Sequence, residues 1–188
     1  EALSDFCNAN CELHQGQFEP EILKKRIFDD PSYRNEQGFL LFDNKKIIGC
    51  MIGVTRREEG WLKLFGIDQT YRRQGFGKAM LKKLEALFKS EGCSQIHVLN
   101  AAPYYLTPGL DVRYTEAFCF LHSNGYQLDN YVHNMSVDLQ KNDFDFSQSD
   151  KLLSSLEVTI ERLAPRNHAE YLQWVSDTWG EGVGSRIL

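Results

Sequence analysis

The chain lacks any uncharged apolar run near the ~18 residues that cross a bilayer as a helix, which argues against a membrane span. Its first residues, EALSDFCNANCELHQ, contain neither the basic stretch nor the apolar core of a secretory signal. Paired cysteines are also missing. The five present (Cys7, Cys11, Cys50, Cys93 and Cys119) are odd in number and scattered, with no CxxC pair, and Cys7 and Cys11 sit at helical i,i+4 spacing. A disulfide framework is not indicated. Reduced thiols in a cytoplasmic protein fit better, with Cys50, Cys93 and Cys119 as small core residues. Positive charge is not in excess: 21 Lys and Arg stand against 26 Asp and Glu, a formal net charge of −5. That balance does not suit a nucleic-acid clamp. His122 and His133 have no cysteine or carboxylate at metal-ligand spacing, so no metal site is expected, and His97 reads as a structural histidine within a strand.

What is present describes a folded chain. Of 188 residues, 42% are hydrophobic and 25% charged, close to the globular average. That length allows one domain of roughly 100–200 residues with some remainder. Leu3, Phe6 and Cys7, then Ile22, Leu23, Ile27 and Phe28, recur at spacings of three and four, and Gly16 and Pro20 divide the stretch into two short helices. Gly38–Asp43 and Lys46–Thr55 are apolar runs joined by the turn-prone Asp43-Asn44, which predicts a β-hairpin, and Trp61–Ile67 predicts a third strand. Over 76–91 the residues Met80, Leu81, Leu84, Leu87 and Phe88 form one apolar stripe, and Gly92 closes the helix.

Gln95–Asn100 reads as a short strand, Thr115–Asn124 as a helix closed by Gly125, and Tyr131–Leu139 as a last strand. Residues 140–157 are polar and Ser/Asp-rich, a predicted linker, and Val158–Leu163 with Asn167–Trp179 reads as a strand followed by a helix. Helices alternating with strands that begin as a hairpin predict an α/β fold with a mixed sheet over 1–139.

The chemistry concentrates in Phe65–Lys78, FGIDQTYRRQGFGK, where a strand enters a turn and the strongest helix follows at once. A helix N-terminus offers unpaired N–H groups and the positive end of the macrodipole, and glycines there let a bound anion approach the backbone. Between Arg72 and Lys89 the six basic residues Arg72, Arg73, Lys78, Lys82, Lys83 and Lys89 stand against the single acid Glu85. These features predict a phosphate or pyrophosphate site. The P-loop pattern fails, because Ala79 follows Gly77-Lys78, and the dinucleotide pattern GxGxxG lacks its third glycine. The spacing present is R-x-x-G-x-G, met by Arg72, Gly75 and Gly77.

That motif, preceded by Ile67-Asp68 and Tyr71-Arg72 and followed downstream by Gly125-Tyr126, resembles the acetyl-CoA motif of the GNAT superfamily of N-acetyltransferases over about residues 1–139. The resemblance implies a mixed, mostly antiparallel sheet flanked by helices, and transfer of acetyl from acetyl-CoA to a primary amine of a small molecule or peptide. It implies that Phe65, Gly66 and Ile67 present backbone groups to the pantetheine arm. Arg72, Arg73, Gln74, Gly75, Phe76, Gly77 and Lys78 would wrap the pyrophosphate, and Asn100 would stand beside the cofactor's entry gap. Acetyl-CoA and an amine acceptor are the expected partners, with neither nucleic acid nor membrane.

The pattern departs from many members at two places: Leu121 stands where a Tyr acid is common, and Trp61 where a Glu is common. Tyr104, Tyr105, Tyr114, Glu58 and Glu59 are the candidate substitutes, so no catalytic residue is assigned. A catalytically degenerate acyl-CoA-binding or scaffolding domain is the alternative. The loop 103–109 either shapes the acceptor pocket or caps the sheet. The segment 158–188 resembles the opening of a second, tandem domain, or supplies an edge strand to the first sheet, within the chain or in a homodimer.

Overall fold

The computed structural model describes residues 1–14, 18–133, 135–156 and 158–179. The chain divides into two compact units, Glu1–Tyr131 and Val132–Leu188.

The first unit opens with α1 (Ala2–Asn10) and α2 (Pro20–Leu23), the latter continuing as a π-helical turn over Lys24–Phe28. These are the two short helices expected; Gly16, assigned to the break between them, lies outside the described residues. Four strands follow: β1 (Gly38–Asp43), β2 (Lys46–Arg56), β3 (Glu59–Ile67) and β4 (Gln95–Val98), in the order β1-β2-β3-β4. The first two pairings are antiparallel and β3–β4 is parallel. The crossover between β3 and β4 is α3 (Phe76–Ser90), and α4 (Thr115–Ser123) comes after β4. The sheet is mixed, as the order of elements predicts, and mostly antiparallel, as the resemblance implies.

One sheet divides two cores. On one face Phe6, Cys7, Leu23 and Ile27 of the first helices pack with Cys50, Ile52 and Leu64. On the other, Met80, Leu81, Leu84 and Phe88 of α3 and Leu121 of α4 pack with Met51 and Leu62. The apolar stripe of α3 is therefore buried as its periodicity demands. The ring of Phe88 lies against Gly53 and Gly60, where any side chain would collide with it.

The register contains one irregularity that matters. Ile52 pairs with Leu64 but Gly53 pairs with Leu62, so Lys63 is an extra residue in β3 without a partner in β2. This β-bulge reverses the alternation of the strand. Before it, the Leu62 carbonyl points to the β4 side and accepts from Leu99 N–H at 2.8 Å. After it, Asp68 N–H reaches across to the Ile48 carbonyl of β2 at 2.8 Å, so Leu64 and Gly66 also face β2 while Phe65 and Ile67 face outward. The β4 ladder ends at Leu62↔Val98, and Leu99, at φ 69°, turns the chain away. Lys63–Ile67 thus have no strand on that side among the described residues.

In the second unit α5 (Ser147–Ser155) and α6 (His168–Trp179) are helical. Two expected strands are corrected here. Tyr131–Leu139 carries no ladder among its described residues, and neither does Val158–Leu163. Alternation marks which face a strand would bury, but a strand also needs a neighbour for its hydrogen bonds. None pairs with these segments among the described residues, and Val137, Leu139 and Ile160 remain exposed. The stretch 140–157 is not wholly irregular, since α5 lies within it. Residues 180–188, part of the expected second-domain start, lie outside the described residues.

Candidate functional site

The free edge of β3, the turn after it and the start of α3 bound a cavity of about 1050 Å³, which the end of α1, residues 106–114 and α4 also line. Of the residues expected at the site, Phe65, Gly66, Ile67, Arg72, Arg73, Gly75, Phe76, Gly77 and Lys78 all line it. Two do not. Gln74 turns its amide to the Thr70 carbonyl at 3.2 Å, and Asn100, exposed and two residues beyond the end of β4, is absent from the lining.

The turn is assembled locally. Asp68 accepts from Thr70 N–H (3.0 Å) and Thr70 Oγ1 (2.7 Å), which starts the 3₁₀ turn Gln69–Tyr71, and Lys46 Nζ lies 2.9 Å from its carboxylate. Those hydrogen bonds hold the Asp68 pKa down at about 2. Tyr71 donates its hydroxyl proton to Asp43 at 2.5 Å. Gly75 then adopts φ 86°, a left-handed conformation that disfavours any side chain, and caps α3 without a side-chain hydrogen bond. Among the described residues, nothing accepts the N–H groups of Arg73 through Lys78. At Gly77 an added Cβ would meet Phe120 and Ile67 only at ordinary contact distance, 3.5–3.6 Å, so packing alone does not require glycine there.

The arginines of the turn differ. Arg72 straps the fold: its Nε donates to the Ile67 carbonyl (3.0 Å) and its Nη1 pairs with Glu116 of α4 (2.8 Å). Arg73 and Lys78 are exposed and have no acidic partner within ion-pair distance among the described residues. Open N–H groups, two uncommitted cations and a helix N-terminus make this end of the cavity an anion cradle.

The lining also includes Cys11, Leu13, Phe18, Leu64, Leu106 and Tyr114. Tyr114 accepts from Leu13 N–H at 3.1 Å, and burial pushes its phenol above the usual range. Burial next to Cys7 lifts the Cys11 thiol to about 12, so it is protonated at neutral pH. Of the candidate acid–base residues, only Tyr114 lines the cavity; Tyr104, Tyr105, Glu58 and Glu59 do not. Leu121 is buried in the α3-facing core, and Trp61 stacks on His97 at 5.3 Å, with His97 3.5 Å from Glu59, a structural arrangement.

Sequence reasoning missed Lys63, which lines the cavity with a fully buried side chain. The one signal was a lone charge inside the apolar run WLKLFGI. Among the described residues no helix is long and apolar enough to cross a membrane, and no group of three or more His, Cys, Asp or Glu is arranged to hold a metal.

Solved structures that share the fold include the following three. A ribosomal-protein alanine N-acetyltransferase from Escherichia coli is 18% identical with a TM-score of 0.53, over 69% of this chain and 72% of that one. A GNAT-family acetyltransferase from Staphylococcus aureus is 19% identical with a TM-score of 0.50, over 77% and 83%. An aminoglycoside acetyltransferase from an uncultured soil metagenomic sample, crystallised with trehalose, is 16% identical with a TM-score of 0.51, over 73% and 86%. No curated protein matches the sequence significantly. The family model for GNAT acetyltransferases matches residues 4–106, more than half of the chain and all of the sheet, so the chain belongs to the GNAT acetyltransferase family.

Proposed function

We propose that the protein transfers acetyl from acetyl-CoA to a primary amine of a small molecule or peptide. The observation that carries this reading is the continuity between the free edge of β3 and the open N–H groups of Arg73–Lys78, along a single cavity. A strand edge can take an amide-bearing arm as an added β-partner, and the turn can take a pyrophosphate. The Phe65 backbone, facing outward, would receive the first amide of the arm. Arg73 and Lys78 would balance the phosphate charge, while Arg72, already committed to Ile67 and Glu116, would hold the cradle in shape.

Acetyl-CoA supplies a thioester activated towards amines. The chain contributes alignment and N–H donors for the developing oxyanion. Tyr114, whose phenol borders the cavity, is the hydroxyl we assign to the departing thiolate, and the amine is taken to lose its proton to water or to Glu12, which also borders the cavity. The five cysteines are all free thiols, which supports a cytoplasmic setting. We further propose that α6 with the preceding segment begins a second, tandem unit.

Isothermal titration with acetyl-CoA tests the site. Saturable heat in the wild type, lost in the double variant Gly75→Asp/Gly77→Asp, supports it, because both changes put negative charge into the cradle. Equal heat in the variant rules the site out. Thiol release across an amine panel then tests turnover, and binding with no release on any amine favours a non-catalytic role.

A further inference from the structure

Lys63 costs the fold more than a leucine would. Its side chain is 0% exposed, and Nζ ends on Asp30 Oδ2 at 2.5 Å and on the Arg26 carbonyl at 2.6 Å. Asp30, 1% exposed, also pairs with Arg56 Nη2 at 2.6 Å through the same oxygen, and its Oδ1 accepts from Ser32 N–H at 2.9 Å. Arg56 continues outward, donating to Ser32 Oγ at 3.2 Å and to the Ala102 carbonyl, with its guanidinium 5.4 Å from the Trp61 ring centre. One buried carboxylate therefore joins the β3 bulge, the end of β2, the α2 region and the chain beyond β4. Taking such ions out of water costs several kcal/mol each. Burial pushes the Lys63 amine down from its usual range, with Arg56 and Arg26 adding to the fall, while Asp30 opposes it.

The position explains what this arrangement could do. Lys63 is the extra residue of the bulge, and the free edge begins at that point. Whether Phe65 presents its N–H and C=O outward or towards β2 depends on whether the bulge stays at residue 63. A strand can shed a bulge by slipping one residue, which would invert every later side chain. A lysine tied at its tip to Asp30 and Arg26 cannot follow that slip without breaking both contacts.

We propose that the Lys63–Asp30 pair is a positioning device for acyl transfer, pinning the bulge so that the Phe65 backbone is aimed at the acyl-bearing arm. Lys63 acts through the strand and does not itself meet the reacting atoms. This rests on the acetyl-CoA reading above.

The test uses the full chain and the variant Lys63→Met. Titration with acetyl-CoA comes first in the wild type: no heat there overturns the acetyl-CoA reading and this inference with it. Given binding, Lys63→Met is expected to raise the acetyl-CoA Kd about three- to tenfold, the loss of one strand–arm hydrogen bond, while the kcat of thiol release falls at least tenfold and the amine KM is unchanged. Hydrogen exchange in a peptide covering 62–67 adds a readout needing no acceptor: acetyl-CoA slows exchange in the wild type but much less in the variant. Should Lys63→Met fail to fold, the double variant Lys63→Met/Asp30→Asn, which removes the pair together, is expected to give the same split. Unchanged kcat with unchanged exchange protection in a folded variant overturns the inference. So does a kcat loss that only tracks the loss of folded protein by circular dichroism.

Discussion

Leu62 and Leu64 lie two positions apart on β3 yet point into opposite cores, Leu62 against α3 and Leu64 against α1 and α2. In a regular strand, residues at that spacing share a face. The inserted Lys63 separates them, and it also gives β3 two kinds of edge: one paired with β4, the other open to the cavity.

The seat of Phe88 predicts a stability effect. Phe88 is fully buried and its ring rests on Gly53 and Gly60. Phe88→Ala should cost about 3–5 kcal/mol by urea unfolding, the usual loss for emptying an aromatic site. Gly60→Ala adds a carbon where the ring already lies and should cost about 1–3 kcal/mol through overpacking.

Asp68 predicts a dependence on pH. Its folded pKa of about 2 lies below the ~3.9 of an unfolded aspartate. The stability it adds is therefore complete above about pH 5 and is lost as pH falls towards 2. Asp68→Asn should lower the urea midpoint relative to wild type at pH 5.5, with the difference narrowing at pH 3. A difference of the same size at both values would show that the carboxylate charge is not its source.

The thiols should differ in reactivity. Cys119 is exposed and lines the cavity, whereas Cys7 and Cys50 are buried and Cys11 is held protonated up to about 12. Mass spectrometry after brief iodoacetamide treatment at pH 8 should find Cys119 labelled well before Cys11, Cys7 or Cys50. Saturating acetyl-CoA should slow labelling of Cys119 if it occupies the cavity.

For Tyr114 the expected phenotype is in turnover. Tyr114→Phe removes the cavity hydroxyl and leaves the ring, so acetyl-CoA affinity should change less than threefold while kcat falls about 10²-fold, within the usual range for a general acid. Stopped-flow thiol release on the best amine of the panel gives the measurement, and an unchanged kcat would return the acid role to water.

Much of the sheet and the cradle was legible because each rests on a local signal. The hairpin around Asp43-Asn44, the stripe of α3 and the turn Arg72–Lys78 are specified by residues within one or two elements. Lys63 was not legible in this way. WLKLFGI reads as an apolar run, and only the register against β2 reveals which residue is extra. Asp30 sits beside Pro31 in what reads as an ordinary loop, and its partners come from residues 26 and 33 positions further along the chain. The opposite error occurs at Tyr131–Leu139 and Val158–Leu163, where alternation is present but no neighbouring edge pairs with it among the described residues. Gln74 was expected at the site because it lies within Arg72–Lys78, yet its amide donates to the Thr70 carbonyl.

α3 is also a lever. Its 15 residues span about 22 Å at ~1.5 Å per residue, with the open N–H groups near Gly77 at one end and Phe88 seated on two glycines near the other. A tilt of about 3° at that seat would carry the far end about 1 Å, a displacement that can change a rate by ~10²-fold in a well-aligned site. Gly53 and Gly60, absent from the cavity lining, thus seat the helix whose opposite end carries the open N–H groups.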